Sequence, residues 1–564
     1  SYSFARVGGG SLGGKARGLS FLNFLISSYG LGDKFEGITI DVPPGIVIGT
    51  DVFDDFIKYN NLGEFVYECE DDALLRKRFL DAKFFPEEIR EALRSFLQLI
   101  DVPLSVRSSS LMEDSQYHPF AGVYDTYMIP NNESNIVERL ENLLSTIRLV
   151  FASTYYNASK EYFKMTSHSI EEEKMAVIIQ KMVGEKHSIR FYPDISGVAK
   201  SYNFYPIHPQ TTKDGIVSVA LGLGKTIVEG GNTVKFSPKY PEHLIQFYST
   251  KSFLNNNQTN FFALDLNTKT EDNPLDCIIQ DLFTKSYTLK DSEDDGTLDM
   301  LGSTYSREND IIYDGISRPG IRMVTFSPIL KYKTFPLPDI VETLLELGSK
   351  GMGSAVEIEF AVNLKRPDKE FGVLQMRPLV INEEIENINI HSYSKSELIC
   401  KSNEVLGSGI NSEITDILYV DFEKFDRSKT KEIASEVKQY NLNLTDKKLP
   451  YLLIGYGRWG TLDPWLGIPV IWSDISGAKA IIEADMKDLV VEPSQGSHFF
   501  QNLTSFSVSY FTVRNDSKHA YIDWRWLDSQ NVNDGMCFVK HIRLPKPLQI
   551  IVNPHKKLGV ILKP

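Results

Sequence analysis

The sequence predicts a multidomain α/β (α+β) protein, and three observations carry that prediction. Its 564 residues exceed what one hydrophobic core usually organises and imply about three to four domains. Apolar residues recur at helical spacing through the first 150 positions, whereas short β-branched runs bounded by Gly, Pro and Asp dominate from Met175 onward. Hydrophobic residues make up 42% of the chain and charged residues 24%, a globular composition.

Taken in order, DVPPGIVIGTDVFDDFIKY reads as a short strand entering a helix, with Pro43 and Pro44 as punctuation. Leu74 to Leu80 and Pro86 to Leu99 have helical periodicity. So does Ser134 to Phe151, through Ile136, Leu140, Leu143, Leu144, Ile147 and Val150. The runs MAVIIQKMV, SGVAKSYNF, GIVSVALGL and HLIQFYS then suggest a mostly antiparallel sheet. Residues 252–306 are rich in Asn, Asp, Thr and Ser, and part of this stretch reads as a surface insertion. Pro338 to Gly348 reads as a helix leading into a strand pair, AVEIEFAVN and FGVLQMRPLV, joined by the charged turn KRPDKE. The remaining residues, from 385, look like a separate domain.

Composition also limits the partners. A net charge of −14 argues against non-specific binding to nucleic acid. No apolar run approaches the roughly 18 to 20 residues that cross a bilayer, so no membrane partner is expected. Cys69, Cys277, Cys400 and Cys537 are widely spaced without a CxxC pair, which fits a reducing, cytoplasmic setting. The chain starts at Ser1 with no signal-peptide pattern, and a fragment of something longer is expected.

Strand alternation places Glu357 and Glu359 on one face of AVEIEF, and Gln375 and Arg377 on one face of the next strand. Two adjacent carboxylates are comfortable only when solvated or when a divalent cation lies between them, and a solvent-facing strand edge fits the isolated pair equally. In GGSLGGKARGLS, Gly9, Gly14 and Lys15 have Walker-loop spacing, but Ala16 stands where the hydroxyl is needed, so the P-loop reading fails. LGLGKT fails as well, with Val219 in place of the first glycine. Gly13 and Gly14 still permit close backbone approach, with Lys15 as a point charge for phosphate; a flexible linker is the alternative. In LSVRSSSLMED, Arg107 and three serines make an anion-binding composition, while Glu113 and Asp114 also suit a helix cap.

The ordered set GGKARGLS, VPPGIVI, SVRSSSLMED, FAGVYDTYM, MAVIIQKMV, SGVAKSY, LGLGKTIVEGG, EIEFAV and VLQMRPL resembles the nucleotide-binding part of the pyruvate phosphate dikinase and phosphoenolpyruvate synthase family, over roughly Val7 to Leu379. The resemblance implies a two-lobed ATP-grasp, with a first lobe at 1–184, a second at 185–384 and a C-terminal domain at 385–564. It implies ATP and Mg2+ as ligands. Lys15 and Arg107 then look like triphosphate contacts, Thr126 another phosphate-side residue, and Gln180 a residue near the adenine. Glu357 and Glu359 look like magnesium or ribose ligands, with Gln375 as a further neutral ligand. Arg377 matches the arginine thought to stabilise the transferring phosphoryl group, so Arg377, Lys15 and Arg107 are the expected catalytic cations. Two positions depart from the family pattern: Lys225 replaces a usual acid, and Glu357 stands where Asp is usual.

No phosphohistidine domain is recognisable after about residue 385. The acceptor is therefore expected on another domain or as a small molecule, and a catalytically silent nucleotide-sensing module is the alternative. Arg458, Asp463 and His498 are possible lining for a second-substrate pocket, and His498 faintly resembles a phosphoacceptor. GRWGTLDPWLG reads equally as an aromatic turn that only packs.

Overall fold

The computed structural model describes residues 4–113, 124–164, 169–203, 209–229, 231–244, 254, 257–268, 281–364, 369–379, 393–407, 409–461, 463, 465–486, 508–515, 520–553 and 557–564. They form a mixed α/β fold of several sheets and helices. The chain divides into two units. The first comprises Ser1–Tyr202, Lys213–Ile227 and Asn232–Leu379; the second comprises Asn203–Thr212, Val228–Gly231 and Val380–Pro564.

In the first unit a five-stranded sheet runs in the order Phe4–Val7, Gly45–Ile48, Met175–Lys181, Leu104–Ser110, Thr126–Ile129. Met175–Lys181 is central because both its faces are apolar, with Ala176 to Ile179 fully buried. Helix Ile136–Ser153 starts at Asn135, whose side chain accepts from the Val137 amide at 2.9 Å, and it buries Leu140, Leu143, Leu144, Ile147 and Val150. Helices Asp72–Leu80 and Glu87–Leu99 occupy the other two periodic stretches.

A six-stranded sheet runs in the order Val234–Phe236, Ile216–Leu221, Ile195–Lys200, Val356–Asn363, Lys369–Pro378, Ile38–Asp41. Its pairs are antiparallel except the last, which is parallel. The β-rich runs that the sequence suggests as one sheet are thus split, since Met175–Lys181 pairs with Gly45–Ile48 and Leu104–Ser110 instead. Strand patterning marks a strand but not its partner, which packing selects. The run HLIQFYS lies outside the described residues from position 245. Ile38–Asp41 joins the early chain to this second sheet, so residues on both sides of position 184 share it.

The polar stretch 252–306 holds strands Asn260–Asp265, Thr284–Thr288 and Gly302–Ser306 and helix Leu289–Asp295 in its described parts. Phe261, Leu264, Leu298 and Leu301 are buried there. Much of its polarity is engaged: Arg190 pairs with Asp295 at 2.8 Å and with Asp291 at 3.2 Å.

In the second unit a seven-stranded sheet has the order Glu404–Leu406, Ser509–Val513, Ala478–Ala484, Tyr451–Tyr456, Asp416–Val420, Val539–Arg543, Val532–Gly535. The four strands from Ser509–Val513 to Asp416–Val420 are parallel. Helix Thr430–Asp446 lies between the first two parallel strands in chain order and buries Ile433, Val437 and Leu444, the crossover that parallel pairing requires. A five-stranded sheet contains Leu398–Ser402, Gln549–Asn553 and Leu558–Leu562. Among the described residues no helix is long and apolar enough to cross a membrane, and Cys69, Cys400 and Cys537 are free thiols.

Candidate functional site

Helix Gly13–Ser28 is positioned by glycines. Gly13 has a φ of +75°, and a Cβ there would stand 1.8 Å from the Ser109 carbonyl oxygen; one on Gly18 would stand 2.5 Å from the Met376 carbonyl. The two close approaches seat one helix against strands Leu104–Ser110 and Lys369–Pro378. Ser109 Oγ accepts from the Ala16 amide at 3.0 Å and donates to the Leu12 carbonyl at 2.8 Å. Lys15 is consequently buried, with Nζ 2.6 Å from Glu113 Oε1 and 3.2 Å from Ser108 Oγ. Glu113 also accepts from the Ser110 amide at 2.9 Å. The serine run is therefore the mount of a buried Lys–Glu pair.

Strands Ile195–Lys200, Val356–Asn363 and Lys369–Pro378 form the polar centre. Glu357 lies opposite Lys200 on one side and Arg377 on the other, and Glu359 lies opposite Gln375. Arg377 Nε donates to Glu357 Oε1 at 2.9 Å, its NH2 donates to the same oxygen, and NH2 lies 3.2 Å from Glu359 Oε1. Lys200 Nζ stands 3.2 Å from Glu357 Oε2. Burial pushes the Lys200 ammonium below its ordinary value, and the Glu357 carboxylate opposes that shift. From the other sheet, Arg107 NH1 donates to the Leu374 carbonyl at 2.8 Å, while NH2 donates to Gln375 Oε1 and to Glu359 Oε2 at 3.3 Å.

Among the described residues, three cations, Arg107, Lys200 and Arg377, gather around two carboxylates, Glu357 and Glu359. Glu357 is 1% exposed and ion-paired through both oxygens, so the expectation that it shares a divalent cation with Glu359 meets a carboxylate already neutralised by the protein. Among the described residues no three His, Cys, Asp or Glu side chains converge as a metal site. The Glu359 side chain is the more open, 22% exposed. Guanidinium groups such as Arg107 and Arg377 are suited to bidentate contact with carboxylate or phosphate oxygens.

Other expected residues lie nearby or apart. Thr126 pairs in register with Arg107 and shares its face. Gln180 is buried, with Nε2 donating to the Pro43 carbonyl at 2.8 Å. Lys225 opens the short helix Lys225–Val228 and pairs with Asp281 at 2.7 Å. Lys200 joins the polar cluster without a sequence-based assignment, its signal being the alternation of SGVAKSY, which needed its strand partner to be read; Glu113, which suited a helix cap in the sequence, pairs with Lys15. In the second unit Arg458 is buried, whereas Asp463 is exposed and accepts from the Trp465 amide at 2.9 Å. Trp459 is fully buried against Gly455, where a Cβ would stand 2.3 Å from the indole, so GRWG packs. His498 lies outside the described residues.

These features define a class: a mixed α/β fold carrying a cation-rich polar cluster on paired strands. Residues 10–397 match the family described as "Pyruvate phosphate dikinase, AMP/ATP-binding domain", and the chain belongs to it. The chain is 26% identical over 223 residues to a phosphoenolpyruvate synthase of Aeropyrum pernix, covering 36% of this chain and 25% of the relative. It is 28% identical over 199 residues to an uncharacterized phosphotransferase of Bacillus subtilis, covering 34% and 21%. A rifampicin phosphotransferase of Bacillus cereus is 25% identical over 230 residues, covering 37% and 24%. The chain thus spans about a quarter or less of the length of these relatives.

Proposed function

We propose that the first unit binds ATP with Mg2+ in a two-lobed ATP-grasp arrangement, lobes 1–184 and 185–384, and that the protein transfers a phosphoryl group to an acceptor. The acceptor is a small molecule or a separate phosphoacceptor domain, and 385–564 is a distinct domain. The observation that carries this reading is the cluster that brings Arg107 from one sheet together with Lys200, Arg377, Glu357 and Glu359 of the other.

In this reading Arg107, Arg377 and Lys15 contact phosphate oxygens, and Thr126 lies beside Arg107 on the same side. Gln180 lies toward the base. Glu357 holds Arg377 and Lys200 in place, a supporting role that follows from its two ion pairs. Magnesium commonly takes only one or two carboxylates and completes its shell with phosphates and water. Glu359 with Gln375 fits that share, whereas Glu357 does not. When bound, Mg2+ supplies neutralisation of phosphate charge, and the arginines do the same at the oxygens they reach.

A nucleotide-sensing module without turnover is the second reading. It is favoured by Lys15, whose ammonium is already held 2.6 Å from buried Glu113. The test is product analysis: ATP, Mg2+ and candidate acceptors such as pyruvate are incubated with the protein, and AMP, ADP and phosphate are separated. AMP formation lost in Arg377→Ala is the expected result. ADP alone indicates a simple kinase or ATPase, and tight ATP binding without turnover leaves the sensor.

A further inference from the structure

The second unit contains a cavity of about 880 Å³ at one end of its seven-stranded sheet. All four parallel strands reach it with their carboxyl ends: Asp421 follows the first, Tyr456 ends the second, Asp485 follows the third and Arg514 the fourth. That edge of an open parallel sheet is where ligands of such folds bind. Its wall is aromatic. The Tyr456 ring stacks on Trp524 with centroids 5.3 Å apart and 23° between planes, and Phe422 meets Tyr456 at 5.2 Å. Tyr456 is 2% exposed, yet its hydroxyl has no hydrogen-bond partner among the described residues. A buried hydroxyl left so is costly unless water or a ligand completes it.

Among the described residues that line the cavity, carboxylates outnumber cations. Asp421, Glu423, Asp485 and Asp528 are carboxylates, against Lys540 and Arg514 as cations. Both cations are already paired, Lys540 with Asp421 at 3.0 Å and more distantly with Asp528 at 3.7 Å, and Arg514 with Glu404 at 2.8 Å. A phosphorylated ligand would bring further negative charge into this setting. Gly455, Gly457 and Gly460 have dinucleotide-loop spacing, but the chain continues into the strand Arg458–Trp459 rather than a helix, so no helix terminus faces a pyrophosphate. The carboxylates also do not converge on one metal-sized point among the described residues.

We propose that this cavity binds an organic cation, a small molecule bearing a protonated amine, guanidinium or quaternary ammonium group. Its charge is met by the carboxylates and by the half-buried Trp524 ring, which Tyr456 backs from the other side, so that one aromatic face serves as a cation–π surface. In an amine or guanidinium ligand, an N–H would also donate to the Tyr456 hydroxyl. The proposal goes beyond the phosphotransfer reading and does not depend on it.

The test is calorimetric titration of the full chain, at physiological salt, with agmatine, tyramine and choline, followed by competition with maltose and AMP. Saturable one-to-one binding of at least one cation is expected, weakened about tenfold in Trp524→Ala. Glu423→Gln changes only an exposed rim carboxylate and should weaken binding severalfold while leaving the thermal midpoint unchanged, so a folding defect in the first variant does not decide the result. The proposal is overturned if none of the three cations binds, if neither variant weakens binding, or if maltose or AMP displaces the bound cation.

Discussion

Arg107 donates to the carbonyl oxygen of Leu374 at 2.8 Å, joining positions 267 residues apart. The acceptor is available because strand Lys369–Pro378 bulges there: Glu359 pairs with Gln375 and Phe360 with Val373, leaving Leu374 without an opposite. A bulge re-aims the backbone, and here it turns a carbonyl toward the guanidinium that also reaches Gln375 and Glu359. One arginine thereby ties the five-stranded sheet to the six-stranded one.

Arg107→Ala should lower ATP affinity by roughly 10- to 100-fold, the loss of one or two charge-assisted contacts. Arg107→Lys should rescue little, because an ammonium cannot reproduce a fork that meets a carbonyl, an amide oxygen and a carboxylate at once. Calorimetric titration of both variants with ATP checks this; wild-type affinity in Arg107→Ala would remove Arg107 from the nucleotide site.

The two strand glutamates should separate in a urea unfolding series. Glu357→Gln removes the buried carboxylate that Arg377 and Lys200 share, leaving Arg377 its longer pair with Glu359, and is expected to cost about 3 kcal/mol. Glu359→Gln, more exposed, should cost under about 1 kcal/mol and instead raise the Mg2+ concentration needed for ATP binding.

Gly13→Ala should destabilise the protein by more than about 2 kcal/mol, since a positive φ alone costs a residue with a Cβ about 1–2 kcal/mol. Here the Cβ would also collide with the Ser109 backbone at 1.8 Å. Thermal unfolding reads the loss, and a near-native melting temperature would mean that the helix start relaxes freely.

Burial pushes the Glu483 carboxyl up to about 7, against the opposing pull of Tyr510, the Trp459 amide and Arg458. The unfolded chain releases this proton near 4.5, so the folded state binds more protons between the two values. Its contribution to stability is present below pH 4.5 and is lost as pH rises toward 7. Glu483→Gln keeps an acceptor for the Trp459 amide, which lies 2.7 Å from Oε1. It should flatten that slope and be the more stable form above pH 7, as urea midpoints at pH 5 and 7.5 would reveal.

Much was legible in order along the chain. Helical periodicity over Ser134 to Phe151 located helix Ile136–Ser153, the reading of Pro338 to Gly348 fell inside helix Leu337–Met352, and period-two alternation put Glu357 with Glu359 and Gln375 with Arg377 on shared faces. Those features are local: a helix or a strand face depends on spacing within a few residues. The family resemblance was carried by such short segments too.

What the residues did not reveal in order was who neutralises whom. Strand alternation placed the two carboxylates side by side, but only the fold shows that Glu357 meets Lys200 from a strand more than 150 positions earlier and Arg377 from the next one. The buried Lys15–Glu113 pair, the Leu374 bulge and the cavity where four parallel strands end are of the same kind. Each depends on which strands become neighbours, and that choice rests on burial and packing summed over distant segments rather than on any local pattern.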